Sequence, residues 1–157
     1  RTLDKDICLV LVGTGPLAPQ IQTRVEALND PRVHLLGKVP EGHDYGWIAT
    51  ADFNIQPGAV GLAVNQSMAF GTVTVIADEP GPDSETVIHG RTGWRYPKGN
   101  VKALVALIRK LIDQPEVVSP VVEEARRMMR DEVNIDMMVT QLGRAIEMAL
   151  EQKKRQI

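Results

Sequence analysis

Cysteine is almost absent from this sequence: Cys8 is the single one in 157 residues. One thiol rules out an internal disulfide and fits a reducing compartment, so a cytoplasmic location is expected. Its place in an apolar run predicts a buried core thiol. Net charge is nearly absent too. Eighteen Lys and Arg stand against 20 Asp and Glu, a formal charge of −2, so no overall field favours nucleic acid or an anionic membrane. A bound anion must therefore be held by local geometry. No apolar run approaches the roughly 20 residues of a membrane span, and the charged opening Arg1–Asp6 is no secretory signal. His34, His43 and His89 show no metal spacing with one another or with Cys8, so no metal site is expected. Ser67 lacks a glycine-flanked elbow and an obvious base, which argues against a hydrolase triad. The sequence does not begin with Met and is read as a piece of something longer.

What is present is ordinary globular composition, 43% hydrophobic and 24% charged, at about the length of one domain. The runs at 7–12, 33–36, 53–55 and 73–76 are short, apolar and rich in β-formers. They lack apolar/polar alternation, which predicts parallel strands covered on both faces. Helical patterns separate them. Leu17, Ile21, Val25 and Leu28 share one face before Asn29-Asp30-Pro31, while 43–51 and 61–70 read as short helices, the second closed by Gly71. Strand, helix and strand at these lengths mean βαβ units with right-handed crossovers. Three helices follow: an amphipathic stripe from Val101 to Ile112, a segment 120–132 started by Ser119-Pro120, and a last helix capped by Asn134. Its face is Ile135, Met138, Val139, Leu142, Ile146 and Leu150. The paired methionines Met128/Met129 and Met137/Met138 are read as helix-packing residues. The tail Lys153-Lys154-Arg155 suits a helix C-terminus, and also permits peripheral membrane contact of a larger enzyme. The expectation is one α/β domain over 1–157, with a Rossmann-like doubly wound parallel sheet in 1–97 and a helical part in 98–157.

Ligands of open α/β sheets sit beyond the carboxyl ends of the strands, so four turns matter. Gly13-Thr14-Gly15-Pro16 permits close backbone approach, but lacks the third glycine of a dinucleotide fingerprint and the Lys-Ser/Thr end of a P-loop. It can equally be structural. Gly37-Lys38-Val39-Pro40 offers backbone groups to the edge of a base, with Lys38 as readily a solvated charge. Gln56-Pro57-Gly58-Ala59-Val60-Gly61-Leu62 runs into a helix, and N–H groups at its start form a diphosphate seat without net positive charge. A plain connection with glycine for packing is the competing reading. Gln66, one turn in, can reach a ribose hydroxyl or simply be solvated. In the fourth turn, 78–85, Asp83 or Ser84 is read as capping a helix, with Glu85 serving that cap.

Taken in order, these segments resemble the C-terminal domain of a GT-B glycosyltransferase of the retaining family four type (glycosyl transferases group 1). LVLVGTGP (9–16) is similar to that family's strand and Gly-x-Gly-Pro turn, and VHLLGKV (33–39) to its V-x-F-x-G-x-V segment. Ala51-Asp52-Phe53 with Gln56-Pro57 resembles its A-D…P-S strand. GLAVNQSMAFGTVTVIA (61–77) resembles G-L-P-x-L-E-A-M-A-x-G-x-P-V-I-A, and ETVIHGRTG (85–93) its E-I-V-x-x-G-x-T-G. The likeness spans about 7–150. It implies a nucleotide-diphospho-sugar donor held between two Rossmann-like domains, the other binding the acceptor, and no metal. By that resemblance Gly61, Leu62 and Ala63 meet the diphosphate. Gly58, Ala59, Val60 and Gln66 border the sugar and ribose, and Gly37, Lys38 and Val39 the base. Gly13, Thr14, Gly15 and Glu85 line the cleft.

The departures are specific. The family's two glutamates, spaced E-x7-E, fall on Gly58 and Gln66, neither of which is acidic. Its basic Arg/Lys pair would precede Leu9, and its first strand, which lies centrally in the sheet, has no counterpart here. The expected function is the donor half of a sugar transferase for polysaccharide or glycoconjugate synthesis, inactive by itself, with the catalytic residues unassigned. A degenerate, non-catalytic GT-B subunit and an unrelated Rossmann nucleotide binder are the alternatives.

Overall fold

The structure, a computed structural model, describes residues 7–40, 42–58, 61–79 and 85–155. In chain order it contains β1 (Leu9–Val12), α1 (Ala18–Leu28), β2 (Val33–Gly37), α2 (Asp44–Thr50), β3 (Phe53–Gln56) and α3 (Leu62–Phe70). Then come β4 (Val73–Asp78), β5 (Trp94–Pro97), α4 (Val101–Asp113), α5 (Val118–Asp131) and α6 (Ile135–Arg155). Every strand pair is parallel, as βαβ units require, but hydrogen bonding divides the strands into two sheets, β1–β2 and β3–β4–β5. The expected single sheet is thus divided between the β1–β2 pair and the β3–β4–β5 sheet.

The core gathers around β4. Val73, Val75 and Ala77 point to one face and pack with Trp94, Tyr96, Leu111 and Val121. Ile76 points to the other and packs with Val64, Met68, Val87, Ala125, Met128 and Met129. This is the period-two alternation of a strand with apolar residues on both sides. Helix α5 serves both clusters, through Val121 near its start and Ala125, Met128 and Met129 further along. Burial raises the Tyr96 hydroxyl above its ordinary pKa.

Helix α3 is closed as its glycine predicts. Gly71 is left-handed (φ 78°), with its N–H on the Met68 carbonyl at 3.2 Å and the Thr72 N–H on the Ser67 carbonyl at 2.9 Å. Arg126 of α5 donates to the Phe70 carbonyl at 2.7 Å, and a Cβ on Gly71 would collide with that guanidinium. A second tie joins the 89–93 turn to α5, where Arg91 and Arg127 both bond Glu124, at 3.0 and 2.8 Å.

Several expectations are corrected. Cys8 is exposed, not buried, because β1 and β2 are covered far less than β4, with Leu9, Val12 and Leu36 all partly open. The apolar stripe of α1 packs on β2 yet buries no residue. Helix α5 begins at Val118, after a 3₁₀ turn over Pro115–Val117, so Ser119 and Pro120 lie inside its first turn and no side chain caps it. The expected cap at Asp83–Ser84 lies outside the described residues, and Glu85 and Thr86 form a turn rather than helix. Asn134 does cap α6, accepting from the Met137 N–H at 2.8 Å. Met138, however, is 58% exposed with the rest of that helix's apolar face.

Leu111→Ala should cost about 2–5 kcal/mol in chemical denaturation, as a core cavity does. Ile21→Ala, at a site 39% exposed, should cost under about 1 kcal/mol. Hydrogen bonds from Arg127 and then Arg91 lower the Glu124 pKa from 4.5 to about 2. Its stabilising contribution is therefore complete above pH 4.5 and lost as pH falls toward 2. Acid unfolding of Glu124→Gln should lack that part of the slope.

Candidate functional site

Because the strands are parallel, the strand-to-helix turns of each sheet lie on one rim. The first two turns are stitched together: the Gly13 N–H donates to the Gly37 carbonyl at 2.7 Å. Between them and α1 lies an open depression of about 360 Å³, lined by Gly13, Thr14, Pro19, Gln22, Leu36 and Gly37. Gly15 is exposed beside it, as is Lys38, while Val39 is half-buried. Of the three residues expected near a base, only Gly37 lines the depression; Lys38 and Val39 do not.

The turn entering α3 is the second feature. Gly58 is exposed, and Ala59 and Val60 lie outside the described residues. Gly61 is the N-cap, in extended conformation, and no side chain caps the helix. The Val64 N–H is engaged by the Gly61 carbonyl at 2.9 Å. The N–H groups of Gly61, Leu62 and Ala63 find no backbone acceptor among the described residues. Gly61 is exposed and Leu62 is 76% exposed. The helix start thus presents the positive end of its dipole at an exposed surface, with no backbone acceptor for these N–H groups among the described residues. Gln66 is half-buried in the next turn, and Glu85 is exposed in the turn before Val87.

Charge on the neighbouring strand ends is balanced. Arg95 bonds Asp78 and Lys98 bonds Glu79, each at 2.5 Å. Both of these cations are thus already matched to carboxylates. Among the described residues no group of three or more His, Cys, Asp or Glu is gathered as metal ligands, and no helix is long and apolar enough to cross a membrane.

Sequence reasoning missed a polar cluster beneath this helix. Asn54 on β3 bonds the Ala63 carbonyl and the Ser67 hydroxyl, and Gln56 bonds Asn54. The available signal was two amides at alternate positions of a strand otherwise expected to be apolar.

A family model described as "Glycosyl transferases group 1" matches residues 1–114. The chain belongs to that family. The amylovoran biosynthesis glycosyltransferase AmsK of Erwinia amylovora is 26% identical over 147 residues, covering 87% of this chain and 36% of AmsK. Anabaena HepE, solved in complex with UDP-glucose, matches with a TM-score of 0.76 at 19% identity, over 89% of this chain and 40% of HepE. The C-terminal domain of a group 1 family protein (LpcC) from Francisella tularensis matches with a TM-score of 0.68 at 14% identity, over 82% of this chain and 70% of that one. The fold is that of a GT-B glycosyltransferase C-terminal domain. The chain spans about a third of the length of the curated relatives it matches. Membership of this family sets aside the alternative of an unrelated Rossmann nucleotide binder.

Gly61→Asp places a capping carboxylate where a Cβ meets nothing within 4 Å. It should raise stability by roughly 0.3 kcal/mol, seen as a slightly higher melting temperature.

Proposed function

We propose that this chain is the donor-binding half of a glycosyltransferase. The whole enzyme moves a sugar, with retention of configuration, from a nucleoside-diphosphate sugar to a saccharide or lipid-linked acceptor in polysaccharide assembly. The observation that carries this reading is the start of α3, exposed, without a side-chain cap, and with no backbone acceptor for the Leu62 and Ala63 N–H groups among the described residues. Family membership supports it, as do the biosynthetic role in the name of AmsK and the UDP-glucose in the HepE complex.

In this scheme the donor diphosphate rests on the amides of Gly61, Leu62 and Ala63. Gly58, Ala59, Val60 and Gln66 border the ribose and sugar. The base lies by Gly37, Lys38 and Val39 over the depression, with Gly13, Thr14, Gly15 and Glu85 at the cleft. As the bond to the sugar breaks, negative charge grows on the leaving diphosphate. Fixed amide dipoles stabilise that charge without reorganising, so no divalent metal is needed. The acceptor is held by an N-terminal domain outside this sequence, and this chain alone binds donor weakly and turns over nothing. The working location is the cytoplasm, with the basic end of α6 available to the inner membrane surface.

A second reading, a degenerate subunit, is favoured by one observation: the two positions where the family resemblance expects carboxylates hold Gly58 and Gln66. Restoring glutamate at both in the full-length enzyme separates the two. A large gain in activity marks degeneration, and a loss marks an adapted site.

Calorimetry of the 157-residue chain with UDP and GDP should detect binding of one of them, unaffected by EDTA. Gly61→Asp, which fills the seat with a like charge, should abolish it. Absence of binding by both this chain and a full-length version would refute the proposed role.

A further inference from the structure

The two ends of α3 are secured differently. Its C-terminal end is held by the Gly71 and Thr72 amides, by Arg126 on the Phe70 carbonyl, and by the Thr72 hydroxyl on the Ile48 carbonyl at 2.6 Å. Its N-terminal end has no side-chain cap. Among the described residues, the side-chain bond from the sheet to that first turn comes from Asn54.

The Asn54 carboxamide is almost fully used. Its Nδ2 donates to the Ala63 carbonyl at 3.3 Å and to the Ser67 hydroxyl, and its Oδ1 accepts from Gln56 Nε2 at 3.2 Å. Ser67, fully buried, donates from Oγ to the same Ala63 carbonyl at 2.7 Å. A continuous polar chain therefore runs from Gln56, the last residue of β3, to the peptide groups that open α3. Gln56 and Asn54 stand on one face of the strand, as alternate residues must. A buried strand-to-helix contact built from amides rather than aliphatic groups gains direction, since hydrogen bonds weaken steeply with angle where apolar contacts do not.

We propose that Asn54 is a positioning residue for anion binding at α3. Its bonds to Ala63 and Ser67 set the advance and tilt of the first turn, so that the N–H groups of Leu62 and Ala63 converge on one phosphoryl group of a nucleoside diphosphate. The inference rests on the reading of that turn as the diphosphate seat. Asn54 itself touches no phosphate. It acts through the Ala63 carbonyl, and its removal leaves the donors present but misaimed, the condition under which preorganised stabilisation is lost.

Asn54→Leu alone strands the buried Ser67 hydroxyl and should lower stability. Asn54→Leu combined with Ser67→Ala removes both partners of that bond and costs only the acceptor of the half-buried Gln56 amide, so its melting temperature should lie closer to wild type than that of Asn54→Leu. In the 157-residue chain, that double variant should bind UDP and inorganic pyrophosphate about tenfold more weakly by calorimetry. Uridine binding, read by ligand-observed NMR, should not change, and amide exchange at Leu62, Ala63 and Val64 should accelerate. Should the double variant not fold, Ser67→Ala alone is read in the same way, with an expected loss of about threefold. UDP affinity equal to wild type in the folded variant overturns the positioning role while leaving the seat intact. A wild-type chain that binds neither UDP nor pyrophosphate overturns the seat, and the role of Asn54 with it.

Discussion

Burial of β4 on both faces is the constraint on which the rest depends. With Val73, Val75 and Ala77 on one side and Ile76 on the other, it needs a helical layer above and below. Helix α5 contributes to both layers, and so fixes α3 and α4 relative to the same strand. Substantial hydrophobic burial, at about 25 cal/mol per Å² of apolar area, is concentrated here. The βαβ unit of β1, α1 and β2 contributes no residue to either buried cluster.

That asymmetry matters for the site. The start of α3 belongs to the well-buried part, because Val64, Ser67 and Met68 are buried within its first two turns. The turns at Gly13 and Gly37 belong to the lightly covered part and hold each other through one backbone bond. In the proposed scheme a ligand spanning both would have its phosphates on the well-buried portion and its base on the lightly covered one.

The electrostatic arrangement is economical in charge. The cations at the ends of β5 are matched to carboxylates, and the chain as a whole is slightly acidic. In the proposed site an anion would be drawn by oriented peptide groups, which carry no net charge and need no counter-ion. This suits a donor site in which the charge to be stabilised grows only as a bond breaks.

Local signals were legible from the sequence by itself. Apolar runs marked β1 to β4, though not β5; Gly71 marked the end of α3, Asn134 the start of α6, and the ordered motifs from Gly13 to Gly93 the family. Each depends on residues near one another in the chain, where backbone preference and periodicity decide. What only the tertiary structure decided depends on distant neighbours: the division into two sheets, the exposure of Cys8, and the Asn54–Ser67 bond across 13 positions. An apolar run looks the same whether or not another strand lies beside it, and an amide in a strand shows its purpose only when its partner is brought opposite.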